Sequence, residues 1–188
     1  MNSSLNDKNN NLSSELDVTQ FPKQLTIYER RELQELKSFL ETDLYFYGSI
    51  MRKDYIPNKS DIDFCIFTDD VETVKYKIRH FFHMPENCFN TVIWKKKNKM
   101  IHGYKVKCKK YTEKNYEISI YETKYKDDVL TEHNKGIHMN GLLFYFLVIV
   151  KQLYYNSIIN KELYIYFKEK INDVVNDRNK KDYSFLVI

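Results

Sequence analysis

Two carboxylates, Asp61 and Asp63, stand two residues apart at the start of an apolar run that continues through Phe67. In a β-strand, residues i and i+2 project from the same face, about 7 Å apart. Both carboxylates could therefore bind the same pair of hard cations, which prefer oxygen ligands. Two like charges placed in this way repel each other unless a metal ion compensates them. The intervening Ile62 is predicted to point into the core and to anchor the strand.

A glycine and a serine, Gly48 and Ser49, end the preceding apolar run, LYFYG at residues 44–48. Glycine permits a tight turn in which backbone N–H groups approach a phosphate, and the serine hydroxyl can add a hydrogen bond. A polar loop then leads to Ser-Asp-Ile-Asp and the second apolar strand. This order indicates a site for a nucleoside triphosphate (NTP) and two divalent ions, Mg²⁺ or Mn²⁺. The alternative is a hairpin that carries solvated acids.

A two-metal site also needs a third carboxylate from a neighbouring strand. We choose Glu117, because it lies near the start of the alternating segment YEISIYE, residues 116–122, whose other residues are predicted to face the core. Asp61, Asp63 and Glu117 are therefore the predicted catalytic residues and metal ligands. Without Glu117 the motif would bind nucleotide and would not catalyse.

The motif GS…SDIDF resembles the hG[GS]…DhDh signature of the DNA polymerase β-like nucleotidyltransferase superfamily, in which h is a hydrophobic residue. The resemblance covers approximately residues 44–122 and extends loosely to residue 155. It implies that the Gly-Ser pair contacts the triphosphate, that the two aspartates bind the metal ions and that Glu117 takes the third position. Two departures stand out: Lys53 occupies the glycine position of an Arg-Gly-Asp-like run, and Glu117 stands where Asp is more usual.

The resemblance implies transfer of a nucleoside monophosphate (NMP) from an NTP to an acceptor hydroxyl, with release of pyrophosphate. It leaves the acceptor open among RNA, a small molecule and a protein, and fold does not choose among them. Two alternatives remain open, and the first of them belongs to another class of function. One is a nucleotide- or RNA-binding module of the same fold without turnover, and the other is an antitoxin-like protein that transfers AMP to a partner protein.

Three further residues are predicted to bind the nucleotide: Arg52, Ser60 and Lys151. Arg52 could hold a phosphate, or it could be a solvated loop arginine. Ser60 directly precedes the aspartates. Lys151 interrupts the apolar run FLVIVKQLYY; it could reach the triphosphate, as a lysine does in the similar helix of related polymerase-like proteins, or it could extend its ammonium to the surface.

Lysines recur between residues 95 and 110, with Trp94 and Tyr104 nearby. A basic hairpin of this kind could follow a nucleic-acid backbone, with aromatic side chains stacking on bases. The alternative is a solvated face of a sheet. The net charge of +4 is too small to decide for nucleic acid by itself.

Hydrophobic periodicity predicts an α+β fold, in which a mixed β-sheet packs on helices and further helices follow at the C-terminus. The resemblance described above implies that this fold is of the nucleotidyltransferase type. The predicted helices span residues 26–41, 71–82, 137–155 and 161–177, and the pair Asp69-Asp70 is predicted to begin or cap the second of them. The predicted strands span residues 44–48, 63–68, 90–96, 103–111 and 116–122, with a turn at 97–103. The C-terminal helices together occupy about 137–177, and the catalytic sheet about 44–122.

The chain is expected to form one domain over residues 19–188 after a disordered tail at 1–18, which is rich in Asn and Ser. No apolar run reaches the roughly 20 residues that cross a bilayer, and no secretory signal is visible. The three cysteines have no close spacing, which is typical of reduced thiols. We therefore expect a soluble cytoplasmic protein with no membrane partner.

Overall fold

The computed structural model describes residues 21–96, 99–110, 114–135, 141–175 and 185–187. The predicted tail at residues 1–18 lies outside these ranges. Within them, six strands form one mixed sheet in the order β1-β2-β5-β4-β3-β6. The strands are β1 Tyr45–Tyr47, β2 Ile62–Thr68, β3 Asn90–Lys96, β4 Lys99–Cys108, β5 Tyr116–Glu122 and β6 Phe185–Val187. The helices are α1 Ile27–Leu40, α2 Val71–Phe82, α3 Lys126–Lys135, α4 Gly141–Tyr155 and α5 Lys161–Val175.

The α+β fold expected from the sequence is confirmed. β2 and β5 run parallel, whereas every other neighbouring pair of the described strands is antiparallel. A parallel pair needs a long crossover connection. Here that connection contains α2, β3 and β4, which is why acids that are distant in the sequence become neighbours in the sheet.

Capping residues set the starts of the first two helices. Thr26 accepts a hydrogen bond from the backbone N–H of Glu29, and the Glu29 carboxylate accepts one from the Thr26 N–H, which makes a capping box. The predicted cap of α2 is confirmed, because Asp70 accepts from the Thr73 N–H at 3.0 Å. α1 buries Leu33 and its apolar neighbours, whereas Ile27, the first residue of the helix, is exposed.

The two faces of the sheet differ in chemistry. One face carries buried apolar residues such as Phe64 and Ile118 and packs in one core with α1 and α2. The opposite face carries Asp63 and Glu117 at one end and a smaller apolar cluster further along, which includes Val129 of α3. Because side chains alternate along a strand, the buried face positions the strands and the opposite face is left to present polar groups.

Two sequence-based boundaries are wrong. The segment 99–103, predicted as part of a turn, is the first half of β4. Ile101 is buried and lies opposite Trp94 of β3, so the alternation of buried and exposed side chains already begins in this segment. β4 ends at Cys108, short of the predicted 111, and residues 111–113 are outside the described part.

The helix predicted over 137–155 begins, in the described residues, at Gly141; residues 136–140 lie outside them. α3 and the short β6 were not predicted at all. The sequence of α3, KDDVLTEHNK, is mostly polar, and the contact of Val129 with the sheet supplies the apolar side that periodicity could not reveal.

Candidate active site

The register of the parallel pair brings two of the predicted acids together. Asp63 of β2 lies directly opposite Glu117 of β5, and Asp61 precedes β2 by one residue. Neighbouring strands are about 4.8 Å apart, so these side chains emerge side by side on the same face of the sheet. The pairing arises from the apolar residues on the other face, because Phe64 pairs with Ile118 and Ile66 with Ile120.

The turn that follows β1, Gly48–Met51, lies next to the Asp63 carboxylate. Gly48 has φ +72°, in the region that L side chains rarely adopt, and it opens a short 3₁₀ turn that continues to Met51. A Cβ built on Gly48 would overlap Oδ2 of Asp63. Ser49 follows and is buried. The glycine is therefore required both by the backbone conformation and by the close approach of the aspartate.

We expect Gly48→Ala to lower the free energy of unfolding by about 2 kcal/mol, because a left-handed conformation costs a non-glycine residue and Asp63 must also move. Chemical denaturation measures this change. Gly141→Ala is the matched control, since a Cβ at Gly141 meets open space. Equal stability of the two variants would contradict the required close approach.

The two paired acids, Asp63 and Glu117, have pKa values shifted in opposite directions. Burial raises the pKa of its carboxyl to about 7, and the neighbouring charges of Glu117 and Asp61 add to the rise. Burial also raises the pKa of Glu117, but Lys105 and Lys107 outweigh this effect and hold it below its ordinary value.

These two lysines come from β4 and pair with the acids. Lys105 forms an ion pair with Oε1 of Glu117, and Lys107 lies 3.1 Å from both Oε2 of Glu117 and Oδ2 of Asp61. In this arrangement no three His, Cys, Asp or Glu side chains of the described residues are grouped as a metal site. The oxygen donors are present, and lysine ammonium groups contact two of the three acids.

Arg52 and Lys151 both contact a fourth carboxylate, that of Asp54. The Arg52 guanidinium donates to Asp54 at 2.7 and 3.1 Å, and the Lys151 ammonium donates to its carboxylate at 2.8 Å and to its carbonyl at 3.0 Å. The side chain of Asp54 is fully buried and that of Lys151 is 5% exposed. The alternative that Lys151 reaches the surface is therefore wrong. Burial raises the pKa of Asp54, but the two cations outweigh it and the net shift is downward.

One cavity of about 720 Å³ collects these groups. All eight residues predicted from the sequence line it: Gly48, Ser49, Arg52, Ser60, Asp61, Asp63, Glu117 and Lys151. Ser60 is buried and accepts a hydrogen bond from the Ile56 N–H at 3.1 Å. Helices α4 and α5 add tyrosines and lysines to the lining, among them Tyr154, Tyr155, Tyr164 and Lys168. The sheet thus contributes the acids, and the helices contribute an aromatic and basic wall.

Comparison with protein families matches residues 29–143, well over half of the chain, to the nucleotidyltransferase domain. The chain belongs to the nucleotidyltransferase domain family. The resemblance inferred from the GS…SDIDF motif is therefore confirmed, and the match extends beyond the 44–122 core into α1 and the start of α4. No curated protein and no solved structure gives a significant match.

The nucleotidyltransferase domain also places in the cavity a residue that sequence reasoning missed. His133 of α3 stacks on Tyr47 with ring centroids 3.9 Å apart, and in the described part of the chain its Nε2 is buried without a hydrogen-bond partner. Burial lowers the pKa of His133 to about 4, and Lys105 adds to this effect, so the imidazole is neutral at pH 7. Its helix was not predicted, so no signal in the sequence pointed to it.

Several lysines of the basic hairpin in the nucleotidyltransferase domain are paired with acids. Besides Lys105 and Lys107, Lys96 and Lys99 both lie 3.1 Å from Asp128 of α3. These pairs reduce the positive charge that the hairpin offers to a nucleic-acid backbone, and contact with nucleic acid stays a prediction. Among the described helices, none combines the length and apolar character needed to cross a membrane.

Proposed function

We propose that this nucleotidyltransferase domain transfers an NMP from an NTP to an acceptor hydroxyl in a metal-dependent reaction that releases pyrophosphate. The observation that supports this best is the register of β2 with β5. It places Asp63 beside Glu117, next to Asp61 and beneath the Gly48 turn.

The residues fit a pair of divalent ions by type and by charge. Three carboxylates lie at one end of the parallel pair. The pKa of Asp63 is raised chiefly by burial and further by the charges of Glu117 and Asp61, and a cation would favour its ionised form. We assign Asp61, Asp63 and Glu117 as the residues that would hold Mg²⁺ or Mn²⁺. When bound, such ions neutralise developing charge on the phosphoryl oxygens and lower the pKa of the attacking hydroxyl.

The other residues of the cavity have roles in binding and orientation. The backbone at Gly48 and the hydroxyls of Ser49 and Ser60 would bind the phosphates, with Arg52 and Lys151 supplying positive charge. The acceptor oxygen forms a bond to the α-phosphorus while the bond from that phosphorus to the β-phosphate oxygen breaks. The hydroxyl proton passes to a carboxylate, for which we choose Glu117.

The test is incubation with each of the four NTPs, radiolabelled at the α-phosphate, together with Mg²⁺ or Mn²⁺. The acceptors are cellular RNA, lysate protein and small-molecule extract, each in a separate reaction. Label that enters one acceptor class, with equimolar pyrophosphate, is the expected result and also identifies the acceptor. No incorporation from any NTP with either metal would refute the proposal.

A second candidate is a nucleotide-binding module without turnover, which is favoured by the ion pairs of Lys105 and Lys107 with the acids. An ammonium group can compensate a carboxylate permanently in place of a metal ion. Calorimetry separates the two candidates: NTP binding whose affinity is independent of metal, without pyrophosphate release, is the result expected of the module.

A further inference from the structure

Lys105 and Lys107, named here the lysine pair, are placed against the acids by the alternation of β4. Tyr104, Val106 and Cys108 pack against the apolar core, so the two lysines between them project to the opposite face. Lys107 lies opposite Glu117 and Lys105 lies opposite Ser119, two residues further along β5. Both ammonium groups therefore emerge over the acids of the site.

The lysine pair contacts the same oxygen atoms that a metal ion would need. Lys105 contacts Oε1 of Glu117, Lys107 contacts Oε2, and Lys107 also contacts Oδ2 of Asp61. A divalent ion binds carboxylates through these atoms. An ammonium group and a metal ion cannot share the same lone pairs at short distance without mutual repulsion, so they compete.

The two lysines differ in how easily their ammonium groups can leave the carboxylates. The Lys107 side chain is 64% exposed, whereas that of Lys105 is 27% exposed. An ion pair of a largely exposed lysine contributes little stability, so Lys107 can exchange partners at small cost. The phosphate oxygens of an NTP are strong acceptors for an ammonium group and offer such a partner within the same cavity.

We propose that the lysine pair makes metal binding conditional on nucleotide: both lysines hold the carboxylates while the site lacks NTP, and Lys107 moves to the triphosphate when NTP binds. The proposal rests on the proposed function for the identity of the metal site. It predicts that free Mn²⁺ binds weakly and that Mn²⁺ and NTP bind cooperatively.

The experiment titrates Mn²⁺ alone against the protein and follows free Mn²⁺ by electron paramagnetic resonance. Lys105→Met/Lys107→Met is expected to bind Mn²⁺ about tenfold more tightly than the wild type, because two repelling charges are removed. The same variant is expected to bind NTP in the presence of EDTA about tenfold more weakly. Lys95→Met, an exposed lysine on the neighbouring strand, is the matched control and should change neither affinity.

Opposite shifts of the two affinities separate this role from a merely structural one, which would weaken both. Equal Mn²⁺ affinity in the wild type and the double variant overturns the proposal, as does tighter NTP binding by the variant. If the double variant does not fold, Lys107→Met alone is expected to show the same opposite shifts, and Lys107→Arg, which keeps the charge, should behave as the wild type. If the Mn²⁺ and NTP affinities shift in opposite directions but the protein transfers no NMP, the inference about the lysine pair stands and only the proposed function is refuted.

Discussion

Asp63→Asn is expected to reduce NMP transfer by at least about a thousandfold, the loss that corresponds to roughly 4 kcal/mol of transition-state stabilisation by a bound metal ion. Asparagine keeps the shape of the side chain and removes the charge that, in the proposed function, would hold the ion. Initial rates of label transfer at saturating NTP and Mn²⁺ measure the effect.

The same substitution should raise the stability of the fold. The Asp63 carboxylate is enclosed beside Glu117 and Asp61, so its charge costs free energy in the protein without a bound cation, and we expect Asp63→Asn to increase the free energy of unfolding at pH 8 by about 1–2 kcal/mol. Asp69→Asn, in an exposed position directly after the same strand, is the control for both measurements. A variant that is more stable and still fully active would contradict the assignment of Asp63 as a metal ligand.

Asp54→Ala is expected to lower the free energy of unfolding by about 3–5 kcal/mol, which is the typical effect of removing one partner from a buried ion pair. The variant leaves Arg52 and Lys151 near each other in the interior without the carboxylate that both contact. The contact of Lys151 also fixes α4 to the loop after β1, so we expect the cavity to open as well. Urea denaturation, followed by circular dichroism, measures the loss.

The control for Asp54 is Asp43→Ala, which breaks an exposed ion pair with Lys37 and should cost less than about 1 kcal/mol. The pH dependence provides a second check. Because the pKa of Asp54 is lowered on folding, its stabilisation is complete above the ordinary value near 4 and is lost as the pH falls through the lower value of the folded state. Asp54→Ala should remove that part of the acid-induced loss of stability.

The acidic residues of the site could be predicted from sequence because their chemistry is encoded locally. Asp63 lies in β2 and Asp61 directly precedes it, and the apolar alternation of the strand fixes which side Asp63 faces. Glu117 was found for the same reason, since it lies near the start of a second alternating strand with a matching register.

The basic residues of the site were harder to predict, because their partners are set by tertiary contacts. A lysine in an alternating strand has the same sequence pattern whether it contacts solvent, nucleic acid or a carboxylate on the next strand. Lys105 and Lys107 were therefore interpreted as part of a basic surface. His133 lies in α3, whose sequence is mostly polar and whose apolar contact with the sheet is made by Val129. Hydrophobic periodicity does not detect such a helix.

The parallel pairing of β2 with β5 also has a consequence for folding. Asp63 and Glu117 are more than fifty residues apart in the chain, and two antiparallel strands must be synthesised between them. Pairings of high sequence separation form late, because the entropy of closing the loop must be offset before the contacts form. A nascent chain that ends before residue 122 therefore carries the aspartates without the complete site, which forms only after β5 has emerged from the ribosome and joined the sheet.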